Sequence, residues 1–171
     1  VVISTCAGAW RYLIGDVVRF TQLDPPELVI DGRTKHFLSL CGEHLSVDNM
    51  TQGLVRTARD LGTNFQEFTV AGFAEGGEYG HHWFIANDDG ADPEQVGKIL
   101  EANLGELNDD YPVERAHALK HMKVNLLPTP TFNEYLNHLG KQGGQVKFPR
   151  VLKGHQYEDW KTYLRERGLM E

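Results

Sequence analysis

The sequence predicts an α+β fold: a small mixed β-sheet with helices packed on it, preceded by a few short strands. Three observations carry this. Apolar residues recur at helical spacing from Val47 to Leu61; two aromatic and β-branched runs face each other across Glu75-Gly76-Gly77-Glu78; and a helix opened by Asp92-Pro93 is followed by an alternating strand near Met122. A chain of 171 residues with 40% hydrophobic content suits one ordinary core with at most a small satellite.

Taken in order, Val1 to Ser4, Val17 to Thr21 and Glu27 to Ile30 read as short strands, the last following the Asp24-Pro25-Pro26 breaker. The first helix places Val47, Met50, Leu54, Ala58 and Leu61 on one face, with Ser46 or Asp48 as cap and Gly62 as stop. Phe65 to Ala74 and Tyr79 to Ala86 form a hairpin whose glycine pair supplies the positive φ of a tight reversal. In the next helix Asp92 caps, Pro93 takes the first turn, and Val96, Ile99, Leu100, Leu104 and Leu107 form a buried stripe facing the hairpin. Met122 to Leu127 alternates as a strand. A short helix follows with Phe132, Tyr135, Leu136 and Leu139 inward and Gly140 at its close. After the loop from Gln142 to Arg150, a last helix from His155 to Arg167 spaces Tyr157, Trp160 and Leu164 on one face.

Composition removes several functional classes. The formal net charge is -7 and no long basic run occurs, so neither nucleic acid nor an anionic membrane surface is an expected partner. No apolar stretch approaches the length needed to span a bilayer. Cys6 and Cys41 lack C-x-x-C spacing and read as two buried thiols suited to a reducing cytoplasm. The start Val1-Val2-Ile3 reads as the middle of a strand, so the chain is expected to be a C-terminal piece of a longer protein.

Tyr12-Leu13-Ile14-Gly15-Asp16 puts a carboxylate directly after a glycine, where the backbone can come close to a ligand and one acidic side chain can accept both ribose hydroxyls. The same dipeptide is also ordinary turn chemistry. His81 and His82 are neighbours on a strand and point to opposite faces, so no shared metal ion is expected. Trp10, Trp83 and Trp160 read as core or domain-interface aromatics.

The run Ser4 to Arg19, centred on Arg11-Tyr12-Leu13-Ile14-Gly15-Asp16, resembles the Tyr-Arg-x-Gly-Asp segment of the auxin-responsive Gretchen Hagen family of acyl-acid amido synthetases, members of the acyl-adenylate-forming superfamily. The resemblance continues, in the same order, at Gly32-Arg33-Thr34-Lys35 with Gly42-Glu43, at Thr131 to Leu136, and at Gln145-Val146-Lys147-Phe148-Pro149-Arg150. It implies that residues 1–33 are the terminal β segment of the N-terminal adenylation domain and residues 34–171 the C-terminal lid domain. Asp16 would then bind the ribose of ATP or of the acyl-adenylate, with Tyr12 and Arg11 shaping the wall beneath it and Arg33 contributing to cofactor binding from the segment where such enzymes pivot. Lys35 would fall at the hinge about which the lid swings.

Lys147 would be the catalytic lysine, brought in on a loop that Gly143-Gly144 leaves room to move, to neutralise charge developing on the α-phosphate and the attacking carboxylate oxygen. A surface lysine before a proline turn is the plainer reading, and Lys153 is a rival in the same segment. Glu43 resembles a loop residue that faces the active site during acyl transfer; a helix-capping or solvated glutamate is the alternative. The resemblance further implies ATP with Mg2+ as cofactor, a carboxylic acid and an amine, an amino acid, as substrates, the missing N-terminal domain as partner, and inactivity of this piece alone. A coenzyme A acceptor and a self-standing α+β interaction module compete with it. The module requires residues 1–31 to form a closed, covered unit.

Overall fold

The computed structural model describes residues 2–8, 10–13, 16–33, 38–141 and 146–171. At the start, β1 (Val2–Ile3) pairs antiparallel with β2 (Tyr12–Leu13). Next, β3 (Asp16–Leu23) and β4 (Pro26–Arg33) form an antiparallel hairpin whose register sets Asp16 opposite Arg33. This ribbon leaves Phe20, Leu23, Leu28 and Ile30 more than half exposed. It is not the closed unit that a self-standing module requires.

The helix α1 (Val47–Leu61) has the span its periodicity predicts. Ser46 is its cap: the Ser46 hydroxyl accepts from the Asn49 N–H, and the Asn49 side chain accepts in turn from the Ser46 N–H, so two backbone donors at the helix start are satisfied reciprocally. Gly62 ends it in the left-handed conformation (φ 65°). Strands β5 (Phe68–Glu75) and β6 (Glu78–Ala86) are joined by Gly76 and Gly77, both at positive φ, as a two-residue hairpin demands. The chain continues through α2 (Pro93–Leu107), α3 (Asp110–His117), β7 (Leu119–Leu127), α4 (Pro130–His138), β8 (Val151–Leu152) and α5 (His155–Glu166).

The four-stranded sheet has the order β7-β6-β5-β8, antiparallel between β5 and β6 and parallel at the other two pairings. Every residue from Gly80 to Asn87 is buried, because helices cover both faces of β6. The strand period then sorts side chains into two cores. Val70, Trp83 and Ile85 pack with Met50 and Leu54 of α1 and Val96, Leu100 and Leu104 of α2. Ala71, Phe84 and Ala86 pack with Phe132 and Tyr135 of α4 and Trp160 and Leu164 of α5. Close approach of α1 to α2 depends on Gly53, where an added Cβ would lie 2.9 Å from Leu104 Cδ2.

Two expectations need correction, and two elements lie beyond the sequence reading. Helix α3 and strand β8 were not legible as elements: α3 buries a single side chain, Tyr111, and β8 is two residues held by a parallel pairing to β5. Leu139 is exposed rather than inward, since α4 ends at His138 and Leu139 already belongs to its cap. Cys6 is exposed and Cys41 only half-buried, so they are not two core thiols. Trp83 and Trp160 are core residues, whereas Trp10 is exposed, which removes the core reading for it and leaves the domain-interface one open.

Candidate functional site

Of the residues singled out by the motifs, Tyr12 lies on β2 with its ring largely exposed. Asp16 opens β3 and Arg33 ends β4, and the ribbon's register brings these two together. Lys35 lies outside the described residues, as do Gly143 and Gly144. Lys147 and Lys153 are both exposed, on either side of β8. Neither lysine takes part in an ion pair among the described residues. The structure thus puts the candidates on three separate parts of the chain: Tyr12 on the β1–β2 pair, Asp16 and Arg33 on the β3–β4 ribbon, and Lys147 and Lys153 on the segments flanking β8.

That second segment is firmly held just past Lys147. Phe148 is buried, with its ring 5.0 Å from those of Phe132 and Trp160 and 5.9 Å from that of Tyr135. The Thr69 hydroxyl donates to the Pro149 carbonyl at 2.7 Å, and the Val70 N–H donates to the Arg150 carbonyl at 3.0 Å. The Arg150 guanidinium donates to the Phe68 carbonyl (2.9 Å), pairs with the Glu67 carboxylate, and lies 4.4 Å from the centre of the Phe68 ring.

Glu43 is neither solvated nor a helix cap: it is fully buried. It sits in the turn between Leu38 and Leu45, which exchange both backbone hydrogen bonds. Its carboxylate accepts from the Leu40 N–H (3.0 Å), the Cys41 N–H (3.1 Å) and His81 Nε2 (2.9 Å). Because a carboxylate only accepts, His81 carries its proton on Nε2 toward Glu43. Burial pushes the Glu43 pKa upward, but the bonds from His81 and from the backbone at Cys41, Glu43 and Leu40 outweigh it and hold the pKa at about 2. Burial and the Glu43 charge push the Cys41 thiol up to about 12, which makes it a poor nucleophile. Sequence reasoning missed the pair, although a histidine in an otherwise apolar strand was the signal that a buried partner must exist.

His82 faces the opposite core, as strand geometry requires. Its Nε2 donates to Asn125 Oδ1 at 2.6 Å, and its Nδ1 accepts from the Tyr157 hydroxyl at 2.7 Å. Burial, with Lys123, Lys161 and Arg165 adding to it, lowers its pKa from 6.5 to about 4. The folded state therefore holds His82 neutral while the unfolded chain protonates it. The stability this contributes is present above pH 6.5 and is lost as pH falls toward 4. Unfolding free energy should fall by up to about 3 kcal/mol as pH drops through that window. Urea titrations at pH 4.5 and 7 check this, and His82→Phe should shrink the difference; an unchanged difference in the variant would assign the pH dependence elsewhere. Among the described residues no group of three or more His, Cys, Asp or Glu side chains is arranged to hold a metal ion, and no helix is long and apolar enough to cross a membrane.

An α+β domain with helices on both sheet faces, preceded by separate ribbons bearing Tyr12 and Asp16, is the arrangement now on hand. The chain belongs to the GH3 family: the sequence model of the GH3 family C-terminal domain matches residues 48–156, and that of the GH3 family central domain matches residues 1–33. Among solved structures, a GH3.15 acyl acid amido synthetase superposes with a TM-score of 0.75 at 19% identity, over 96% of this chain and 31% of its own. A structure of AtGH3.15 acyl acid amido synthetase in complex with 2,4-DB superposes with a TM-score of 0.70 at 20% identity, over 96% of this chain and 32% of its own. The chain thus spans about a third of the length of these synthetases, with which it shares the fold. No curated protein matches the sequence.

Proposed function

We propose that this chain is the C-terminal part of an ATP-dependent acyl-acid amido synthetase, comprising the last β segment of the adenylation body (residues 1–33) and the lid (residues 34–171). The observation that carries it is the ordered match of the GH3 central and C-terminal domains along one chain, with Lys35, the proposed hinge, in the interval between the two matched regions. The exposed Phe20, Leu23, Leu28 and Ile30 of the β3–β4 ribbon support the same reading, since the remainder of a central domain would cover them.

In the parent enzyme a carboxylate oxygen attacks the α-phosphorus of ATP, pyrophosphate leaves, and an amine, that of an amino acid, then attacks the acyl carbon and releases AMP. The acid is of the class represented by 2,4-DB, the ligand of one matched synthetase. Asp16 accepts the ribose hydroxyls, Tyr12 and Arg33 line that wall, and Mg2+ arrives with the triphosphate. Lys147 neutralises the charge that builds on the α-phosphate as the lid closes. Asp16 supplies an acidic side chain and Tyr12 an exposed ring from the ribbons, and Lys147 an exposed cation from the segment before β8, which suits a nucleotide site shared between the two parts of the chain. The cytoplasm, which supplies ATP, is the compartment we propose for it.

The test is acid-dependent exchange of labelled pyrophosphate into ATP, using a panel of aryl- and alkyl-carboxylic acids with 2,4-DB among them. The full-length protein should exchange and, with an amino acid added, form an amide; the 171-residue chain alone should do neither. No exchange with any acid sinks the reading. Thioester formation in preference to amide would move it to a coenzyme A ligase.

A further inference from the structure

The Lys147 segment invites a picture of a lysine on a flexing loop, yet the anchoring beyond it points elsewhere. Consecutive Cα atoms are about 3.8 Å apart, so Lys147 is one peptide unit from a ring locked between α4 and α5. Phe148 fills that aromatic pocket, Pro149 and Arg150 bond through their carbonyls to β5, and the Arg150 side chain reaches both the Phe68 carbonyl and the Glu67 carboxylate. A planar guanidinium serves the carbonyl, the carboxylate and the ring face at once in one fixed geometry; the compact ammonium of a lysine lacks that fork and holds the same partners less well. Three successive residues thus tie the segment to the sheet on one side and to the helices on the other.

We infer that Phe148 and Arg150, the latter through Glu67, are positioning residues that make Lys147 part of the rigid body of the sheet, so that the lysine moves with the whole domain and not by flexing of its loop. This rests on the adenylation reading above. A reacting cation has to be placed to well under 1 Å, and a misplacement of that size costs on the order of a hundredfold in rate. Anchoring the peptide next to Lys147 leaves only its own side-chain torsions to be set when the lid closes.

Two measurements test this. In the 171-residue chain, the backbone 15N order parameter of Lys147 should be that of rigid backbone, about 0.85, and should fall below about 0.6 in Arg150→Ala and Glu67→Gln while α1 stays unchanged. A flexible Lys147 in the unaltered chain overturns the anchoring. In the full-length protein, with whichever acid of the panel supports exchange, Arg150→Ala should lower kcat roughly tenfold or more, with the KM for ATP changing less than about twofold. Arg150→Lys should restore part of the loss. In a Lys147→Ala background Arg150→Ala should cost nothing further, because it acts through the lysine. A full additional loss in that background overturns the positioning role. If Lys147→Ala itself leaves exchange intact, the assignment of Lys147 fails along with the catalytic half of the inference, and the order parameters still report whether the anchor exists.

Discussion

Replacing Glu43 by alanine is expected to lower unfolding free energy by roughly 3 kcal/mol or more. Truncation strands three donors at once: the N–H groups of Leu40 and Cys41 and Nε2–H of His81. Each buried donor left without an acceptor costs about 1–3 kcal/mol, and the half-buried backbone pair belongs at the low end. Glu43→Gln should be intermediate, because one amide oxygen cannot replace two carboxylate oxygens and the new NH2 group confronts donors. The double variant Glu43→Ala/His81→Ala should cost about 1–3 kcal/mol less than the sum of the singles. The pH dependence carries a sign. With its folded pKa held at about 2, Glu43 contributes stability that is complete above the ordinary carboxylate range and fades as pH falls toward 2, so the deficit of Glu43→Ala should narrow in acid. Urea unfolding at pH 7, 4 and 3 reads all of this. A deficit under about 1 kcal/mol at pH 7 would mean that water replaces the carboxylate, and that the turn from Leu38 to Leu45 does not depend on the pair.

Elements whose information is local are legible in the sequence. For α1, period, cap and stop lie within seventeen residues, Ser46 to Gly62, and the observed bounds coincide with the reading. The β5–β6 reversal is written in Gly76-Gly77, and α2 in Asp92-Pro93. What escaped is held by distant partners. Strand β8 exists because Val151 and Leu152 meet Val70 and Ala71, some eighty residues earlier, and nothing in two residues announces that. Helix α3 exposes most of its surface, so its pattern lacks the apolar stripe that marks a helix.

The candidate site divides along the same line. Motif resemblance could nominate Asp16, Tyr12, Arg33, Lys35 and Lys147, but burial and partners are tertiary facts. Only the register of the β3–β4 ribbon sets Asp16 against Arg33, and only the fold turns Glu43 from an apparent loop glutamate into the centre of a buried cluster. Likewise the sequence gives no sign that the segment past Lys147 is fastened at Phe148, Pro149 and Arg150, because the partners of all three lie on distant elements.

Trp160→Ala is expected to cost about 3–5 kcal/mol, the range for removing a buried indole from a packed core. Trp160 is fully buried, and its ring centre lies 4.8 Å from that of Tyr135, 5.0 Å from Phe148, 5.5 Å from Phe132, 5.8 Å from Tyr163 and 5.9 Å from Phe84. It is therefore the common neighbour of α4, α5, β6 and the Lys147 segment, and no single adjacent side chain can collapse into the space it leaves. Its Nε1–H has no acceptor among the described residues, so Trp160→Phe loses ring volume but also removes an unsatisfied donor. That variant should cost only about 1 kcal/mol, and the contrast with Trp160→Ala isolates the packing that a retained aromatic ring preserves. The damage should also be one-sided. Amide exchange should quicken in α4, α5 and at Phe148 while the core of Leu54, Trp83 and Leu100 on the other face of the sheet keeps its protection. Uniform acceleration on both faces would show that the two cores open as one unit, and with them the anchor that holds Lys147.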